Sequence, residues 1–316
     1  MLKSFIAITA LTCSVMTMPA RAEPFPSKNV DYIIPFGPGG ESDIAARLQQ
    51  PLFAAMTSGR QLIVSYKPGG GGAVAWSQLN EMAGDGYSWM GVNLPHIIVK
   101  PMEKAVGFKT EDLTNVYMFH FTPDALLVNA DSPLKSAADL IAYAKANPGR
   151  LTLSGSGKGS SNHLAHLKFS KLAGVSATYV PFKGTGDAMT ALLGNQVAAE
   201  WGYTTVASAQ EGKVRMLAVA TEKRHPAFPD VPTFRELGFD LIGGAYRGLA
   251  VPKSTPEDLR RQISDVIGKI NTDPQFVKQM EDNGFTPIDV AYGAPMDAFM
   301  AKMAAEYAEV LKDIGN

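Results

Sequence analysis

Short apolar runs rich in β-branched and aromatic residues alternate with helix-spaced amphipathic runs along almost the whole chain. "VDYIIPF", "QLIVSYK", "RLTLSGS", "ATYVPFK" and "VRMLAVAT" have the make-up of strands. Between them, "SDIAARLQQPLFAAM", "SAADLIAYAKANPG", "NHLAHLKFSKLAG" and "GDAMTALLGN" repeat apolar residues every three or four positions. Strict alternation of this kind predicts βαβ units and mostly parallel sheets flanked by helices, an α/β fold. Pro51 is expected to kink or end the first helix, and Asn147-Pro148-Gly149 to stop the one beginning near Ser136. After about Leu249 the pattern changes to helices alone, with Thr255-Pro256-Glu257-Asp258 as a helix start.

One device occurs twice. "YIIPFGPGGESDIA" and "TYVPFKGTGDAMT" both run strand, Pro-Phe, glycine-rich turn and helix, with Asp43 and Asp187 in the first helical turn, where a carboxylate suits the helix dipole. A copy in each half is what two similar α/β lobes would show. Two more glycine-rich segments join a strand to a helix: "YKPGGGGAVAW", residues 66–76, and "LSGSGKGSSNHLAHLKF", residues 153–169. The first lacks the Gly-Lys-Ser/Thr of a phosphate-binding loop and does not match a dinucleotide fingerprint. The second offers the hydroxyls of Ser154, Ser156, Ser160 and Ser161 just before a helix N-terminus, a setting suited to a carboxylate held by neutral donors. A flexible loop capped by Ser161 or Asn162 would have the same composition.

The N-terminus bears on the compartment. Lys3, an apolar stretch to Met18 and Ala20-Arg21-Ala22 together resemble a secretory signal, with cleavage expected after Ala22 and a periplasmic location. The only cysteine, Cys13, falls inside that segment, and Ala10-Leu11-Thr12 is a poor lipoprotein box, so no disulfide or thiolate chemistry is expected. Removing residues 1–22 takes two positive charges (Lys3 and Arg21) and no acid from a chain of net charge −1, leaving −3. That balance lacks the basic excess of a nucleic-acid binder. The roughly 290 remaining residues suit two domains of common size, and no later apolar run is long enough to span a membrane. His163 and His166 share a helical face, but no third zinc ligand follows at a matching spacing, and no nucleophile–base order stands out. Neither cofactor nor metal is expected.

Taken in order, "PFPSKNVDYIIPFGPGGESDIAARL", "KPGGGGAVA", "GDGYSWMGVN", "LIAYAKANPGRLTLSGSGKGSSNHLA", "YVPFKGTGDAMTALLGNQV" and "HPAFPDVPTFRELGF" resemble the extracytoplasmic receptors of tripartite tricarboxylate transporters, the Bug family. The resemblance covers essentially the whole chain after residue 22. It implies a two-lobed periplasmic binding protein of the type II class: residues 23–123 as one lobe, 124–247 as the second, and 248–316 returning to the first. A monomer of this kind would capture a small carboxylate between its lobes and present it to membrane permease subunits. Carried onto this chain, the ligand site falls on Phe36, Gly37, Gly39, Gly40, Glu41 and Asp43 on one side, and on Ser156, Gly159, Ser160, Ser161 and Asn162 on the other. Asn93, Tyr203 and the Lys67–Gly72 loop are further positions, and the hinge would lie near Phe121–Leu127 and Tyr246–Val251.

Two charges depart from the family pattern. Glu41 stands where a small or hydroxyl residue is commoner, and Arg247 where an apolar one is. Arg247 in the cleft would favour a dicarboxylate; Glu41 could instead pair with it or face an ammonium group. Aromatic acids, amino acids and nicotinate-like compounds stay open as ligands. A periplasmic enzyme on the same scaffold is the alternative, since fold does not dictate function, and a receptor feeding a signalling partner is another. Turnover assays would separate the first, and gene neighbourhood the second.

Overall fold

The computed structural model describes residues 25–103 and 106–315; the segment expected to be cleaved, with Cys13, lies outside them. The chain begins with β1 (Val30–Ile34), α1 (Glu41–Met56), β2 (Leu62–Tyr66), a one-turn α2 (Ala73–Trp76), β3 (Ser88–Leu94) and α3 (His96–Glu103). It continues through β4 (Thr114–Asn129), α4 (Ala137–Ala146), β5 (Thr152–Gly155), α5 (Ser161–Ala173), β6 (Thr178–Pro181), α6 (Thr185–Leu193), β7 (Ala199–Tyr203), α7 (Thr204–Ser208) and β8 (Val214–Val219). It ends with β9 (Gly244–Val251), α8 (Glu257–Asn271), α9 (Pro274–Asp282), β10 (Thr286–Ala291) and α10 (Ala294–Gly315).

The strands lie in the order β2-β1-β3-β9-β4-β7-β5-β6, with β8 and β10 also on β4. Everything turns on β4. From Thr114 to Pro123 it pairs with β9, and between Tyr117 and Phe121 it also takes β10. Beyond Asp124 the same strand pairs with β7 and β8. Two sheets thus share one continuous strand, which makes two lobes. Parallel pairing joins β1 to β2 and β3, and β5 to β6 and β7, as βαβ crossovers require. The crossing strands β4 and β9 run antiparallel to all their neighbours, so each sheet is mixed and not mainly parallel.

Packing follows the same division. The first core draws on residues from Val30 to Phe119 and again from Leu249 to Met303, so the C-terminal helices complete the lobe that the N-terminal strands begin. The second lobe packs through Leu126, Leu140, Phe169, Trp201 and Phe234 on one side of its sheet, and through Leu127, Met189, Leu192 and Val206 on the other.

Two local expectations change. Pro51 does not end α1, which runs on to Met56. Pro51 and Arg47, four residues before it, are both exposed, so the carbonyl that loses its amide partner lies on the solvent side of the helix. The C-terminal region is also not helical throughout, because "TPIDVA" forms β10 on the edge of β4. The stop after α4 is as expected, and its start carries a capping box in which Ser136 Oγ accepts from the Asp139 N–H while Asp139 accepts from the Ser136 N–H. Ser136→Ala should therefore lower stability by about 1 kcal/mol in denaturant titration, with no change in the m-value.

Candidate functional site

The two copies of the Pro-Phe-glycine device face each other across the gap between the lobes. The Gly37 N–H donates to the Lys183 carbonyl at 3.3 Å, and the Glu41 N–H to Thr185 Oγ1 at 3.3 Å. A Cβ on Gly186 would lie 2.4 Å from the Pro38 carbonyl oxygen and 2.9 Å from the Gly40 nitrogen. The four-glycine run makes a second crossing contact. Gly69 to Gly72 all have positive φ, and a Cβ on Gly157 would lie 3.3 Å from the Gly71 Cα. Backbone closes on backbone, which only glycine permits here.

Behind this seam lies a narrow cavity whose volume, about 10 Å³, is the room of one water molecule. Phe36, Gly40, Glu41, Asn93, Ser156, Tyr203 and Arg247 line it, all expected from the sequence. Ser42, inside the Phe36–Asp43 stretch, lines it as well, and so do His96 and Thr185, which were not foreseen. Thr185 could have been, because it occupies in the second device the place next to the helix start that Glu41 takes in the first. Nothing in the sequence pointed to His96.

Glu41 fills much of the space. It is 1 % exposed, and its carboxylate contacts Arg247 Nε through one oxygen and His120 Nε2 through the other, which also accepts from Thr122 Oγ1 at 3.0 Å. Burial opposes the charge, but Arg247, then His120 and Thr122, outweigh it and hold Glu41 below the usual carboxylate value. Burial keeps His120 below the ordinary histidine value, so the neutral ring donates its Nε2–H to Glu41. His96 is pushed further down, by burial and then by Arg247 and Lys100. Arg247 is also held by the Tyr203 ring, 4.5 Å from guanidinium carbon to centroid, and by a 2.9 Å hydrogen bond from Nη1 to the Ala245 carbonyl, so each bidentate edge of the guanidinium has a nitrogen already engaged. The premise for a dicarboxylate, an Arg247 open to ligand, therefore does not hold: the pairing with Glu41 is the arrangement found.

The hydroxyl-rich loop is engaged by the chain itself. Ser161 Oγ and Asn162 Nδ2 both donate to Asp124 Oδ1, at 3.0 and 2.9 Å, and Ser161 also meets the Tyr203 hydroxyl at 2.8 Å. Asn162 Oδ1 accepts from Ser156 Oγ at 2.7 Å. Ser160 donates to the Gly157 carbonyl and caps α5 by accepting from the His163 N–H. The Gly159 N–H donates to His163 Nδ1. Across the cleft, Asp43 accepts from the Gly39 N–H and the Tyr66 hydroxyl and pairs with Arg47, pinning its own loop. Gly37, Gly39, Asp43, Gly159, Ser160, Ser161 and Asn162 thus shape the walls, while the cavity surface belongs to other side chains. A larger cavity of about 190 Å³ opens on the other face of β9, where Tyr246 points away from Arg247, and is lined mainly by apolar side chains with Asp124 and Ser161 at one end. Among the described residues, no three His, Cys, Asp or Glu side chains group to hold a metal ion.

The profile of the tripartite tricarboxylate transporter family receptor matches residues 46–315. The chain belongs to that family. The "UPF0065 protein in gbd 5'region" of Cupriavidus necator is 32 % identical over 271 residues, covering 85 % of this chain and 83 % of that protein. Among solved structures, the periplasmic binding protein BugD has a TM-score of 0.85 at 27 % identity, over 92 % of this chain and 99 % of its own. MatC from Rhodopseudomonas palustris, with bound malate, gives 0.82 at 27 % identity over 90 % and 99 %. The two-lobed α/β architecture is shared with both structures, of which BugD is a periplasmic binding protein and MatC holds malate.

For this receptor-family chain, Gly186→Ala should prop the two loops apart, because the new methyl meets backbone and not a side chain that can swing away. Small-angle scattering should report a larger radius of gyration than wild type with each lobe still folded; an identical profile would contradict the close packing. A second expectation concerns pH. Burial raises Asp124 to about 7 although Ser161, Asn162 and Arg247 act the other way. A folded pKa above the unfolded value means stability present below about pH 4 and lost as pH rises towards 7. Asp124→Asn mimics the protonated group, so its melting temperature relative to wild type should rise across that interval. Parallel curves would remove Asp124 as the source.

Proposed function

We propose that this protein is a non-catalytic periplasmic receptor that captures a small organic acid between its lobes and delivers it to the membrane permease subunits of a tripartite tricarboxylate-type transporter. One observation carries the reading: the first turns of α1 and α6, from opposite lobes, meet around one narrow cavity together with the loop before α5. Helix N-termini present unpaired N–H groups and positive potential, which favours a carboxylate. Lys100, Lys158 and Lys183 line, with Asp187, a separate pocket beside the Gly71–Gly157 contact, which adds positive charge to that side of the seam. MatC, with malate bound, supports a carboxylate as the ligand.

In this reading residues 1–22 are removed on export, and the protein acts as a monomer. Residues 23–123 and 248–316 form one lobe and 124–247 the other, except that Gly244–Arg247 pair within the first sheet, and Gly159–Asn162 back the wall of the cleft. The test is a thermal-shift screen of protein starting at Glu23 against mono- and dicarboxylic acids, with each hit followed for turnover by NMR. A saturable shift without turnover is expected, and ligand at 100 times its dissociation constant should add about 2.7 kcal/mol. A ligand consumed in the assay would make the protein an enzyme. Silence across the acids would overturn the receptor reading.

A further inference from the structure

The Glu41–Arg247 pair belongs to one lobe. Arg247 lies on β9 in register with Asn93 of β3 and His120 of β4, all in the first sheet, and Glu41 opens α1 on the same lobe. Opening the cleft therefore leaves the pair intact, and a ligand meets it already formed. Arg247 is the only lysine or arginine lining the cavity among the described residues. Its guanidinium is turned to Glu41, stacked on Tyr203 and bonded to the Ala245 carbonyl, so its fork is not presented to a newcomer. With Glu41 ionised and both His96 and His120 neutral, the inner end of the cleft carries no net charge. What it presents instead is uncharged: the Asn93 amide and the hydroxyls of Ser42, Ser156 and Thr185.

We propose that Glu41 is a built-in carboxylate that occupies Arg247 and reserves the inner end of the cleft for an uncharged polar group, so that the ligand is an acid with a single carboxylate and a hydroxyl, amide or similar group at its far end. The inference rests on the carboxylate-receptor reading above. A second carboxylate entering beside Glu41 would have to draw Arg247 away, leaving Glu41 buried with only a neutral histidine and a threonine hydroxyl. Desolvating an anion without a counter-charge is strongly unfavourable. Glu41 thus selects the ligand by exclusion.

Acid pairs of matched shape test this: succinate against succinamate, and adipate against adipamate, by calorimetry on the full mature protein. Wild type should bind the monoamide at least tenfold more tightly than its diacid. Glu41→Gln keeps the side-chain shape but leaves Arg247 without its counter-charge, and should reverse the preference. The double variant Glu41→Gln/Arg247→Met removes both charges and should restore it; this variant and the wild-type comparison decide the matter if Glu41→Gln does not fold. Diacids that bind wild type as tightly as their monoamides would overturn the proposal, as would a preference unaltered in Glu41→Gln. If none of the four compounds binds, the proposal falls, and the wider acid screen then decides the receptor reading separately.

Discussion

The buried contact of Glu41 with Arg247 and His120 ties together the elements that form the cleft. It links the start of α1 to β9 and to β4, the strand that both sheets share, close to the point where the sheets meet. Such a group holds only as a unit: removing one partner of a buried pair leaves an uncompensated charge and costs about 3–5 kcal/mol. The position of Glu41 at the first turn of α1 adds the helix dipole to the charges that keep it ionised. The consequence reaches Phe36 to Ser42, because the loop that faces the opposite lobe is the stretch leading into that first turn. Asp43 holds the same loop from its other side through the Gly39 N–H, so two carboxylates fix one short segment before any ligand arrives.

The glycine-rich segments then take on a common meaning. Each joins a strand to a helix, and each meets another such segment from the opposite lobe: residues 37–40 meet 183–186, and Gly71 meets Gly157. A side chain at Gly186 would strike backbone atoms of the other lobe. Composition that suggests a ligand cradle is here, in the first place, composition that lets two main chains touch. Anion binding and close approach are not rivals, since both need bare N–H groups at helix starts.

Much of this was legible in the sequence. Strand and helix runs such as "VDYII" and "AADLIAYAKA" obey local periodicity, and the twofold Pro-Phe device marked the two loops that now touch. What could not be read was which polar side chain answers which. Ser161 and Asn162 carry the hydroxyl and amide expected to meet a ligand, yet both serve Asp124, a residue 37 and 38 positions away on β4. The Glu41–His120 contact spans 79 positions and depends on the register of β4 against β9. Edge strand β10 was missed for the same reason: "TPIDVA" is too short and too mixed to declare itself, and it becomes a strand only by pairing with β4.

The closed seam bears on how such a protein can work at all. A cavity with room for one water cannot admit an organic acid, so the loops must part first. Between the loops that carry Gly37–Glu41 and Lys183–Thr185 there are two hydrogen bonds, both at 3.3 Å, and each is worth about 0.5–1.5 kcal/mol net. Neither the Glu41 pair nor the Asp124 cluster has to break, because Glu41, His120 and Arg247 stay with the first sheet, and Asp124, Ser161 and Asn162 with the second. Opening also parts Arg247 from the Tyr203 ring, a contact worth about 0.5–2 kcal/mol, and the sum stays within the range that a ligand's preference for one state can shift. The expensive buried charges lie within the lobes, and the cheap contacts lie between them. That separation lets the lobes move without unfolding the site they enclose.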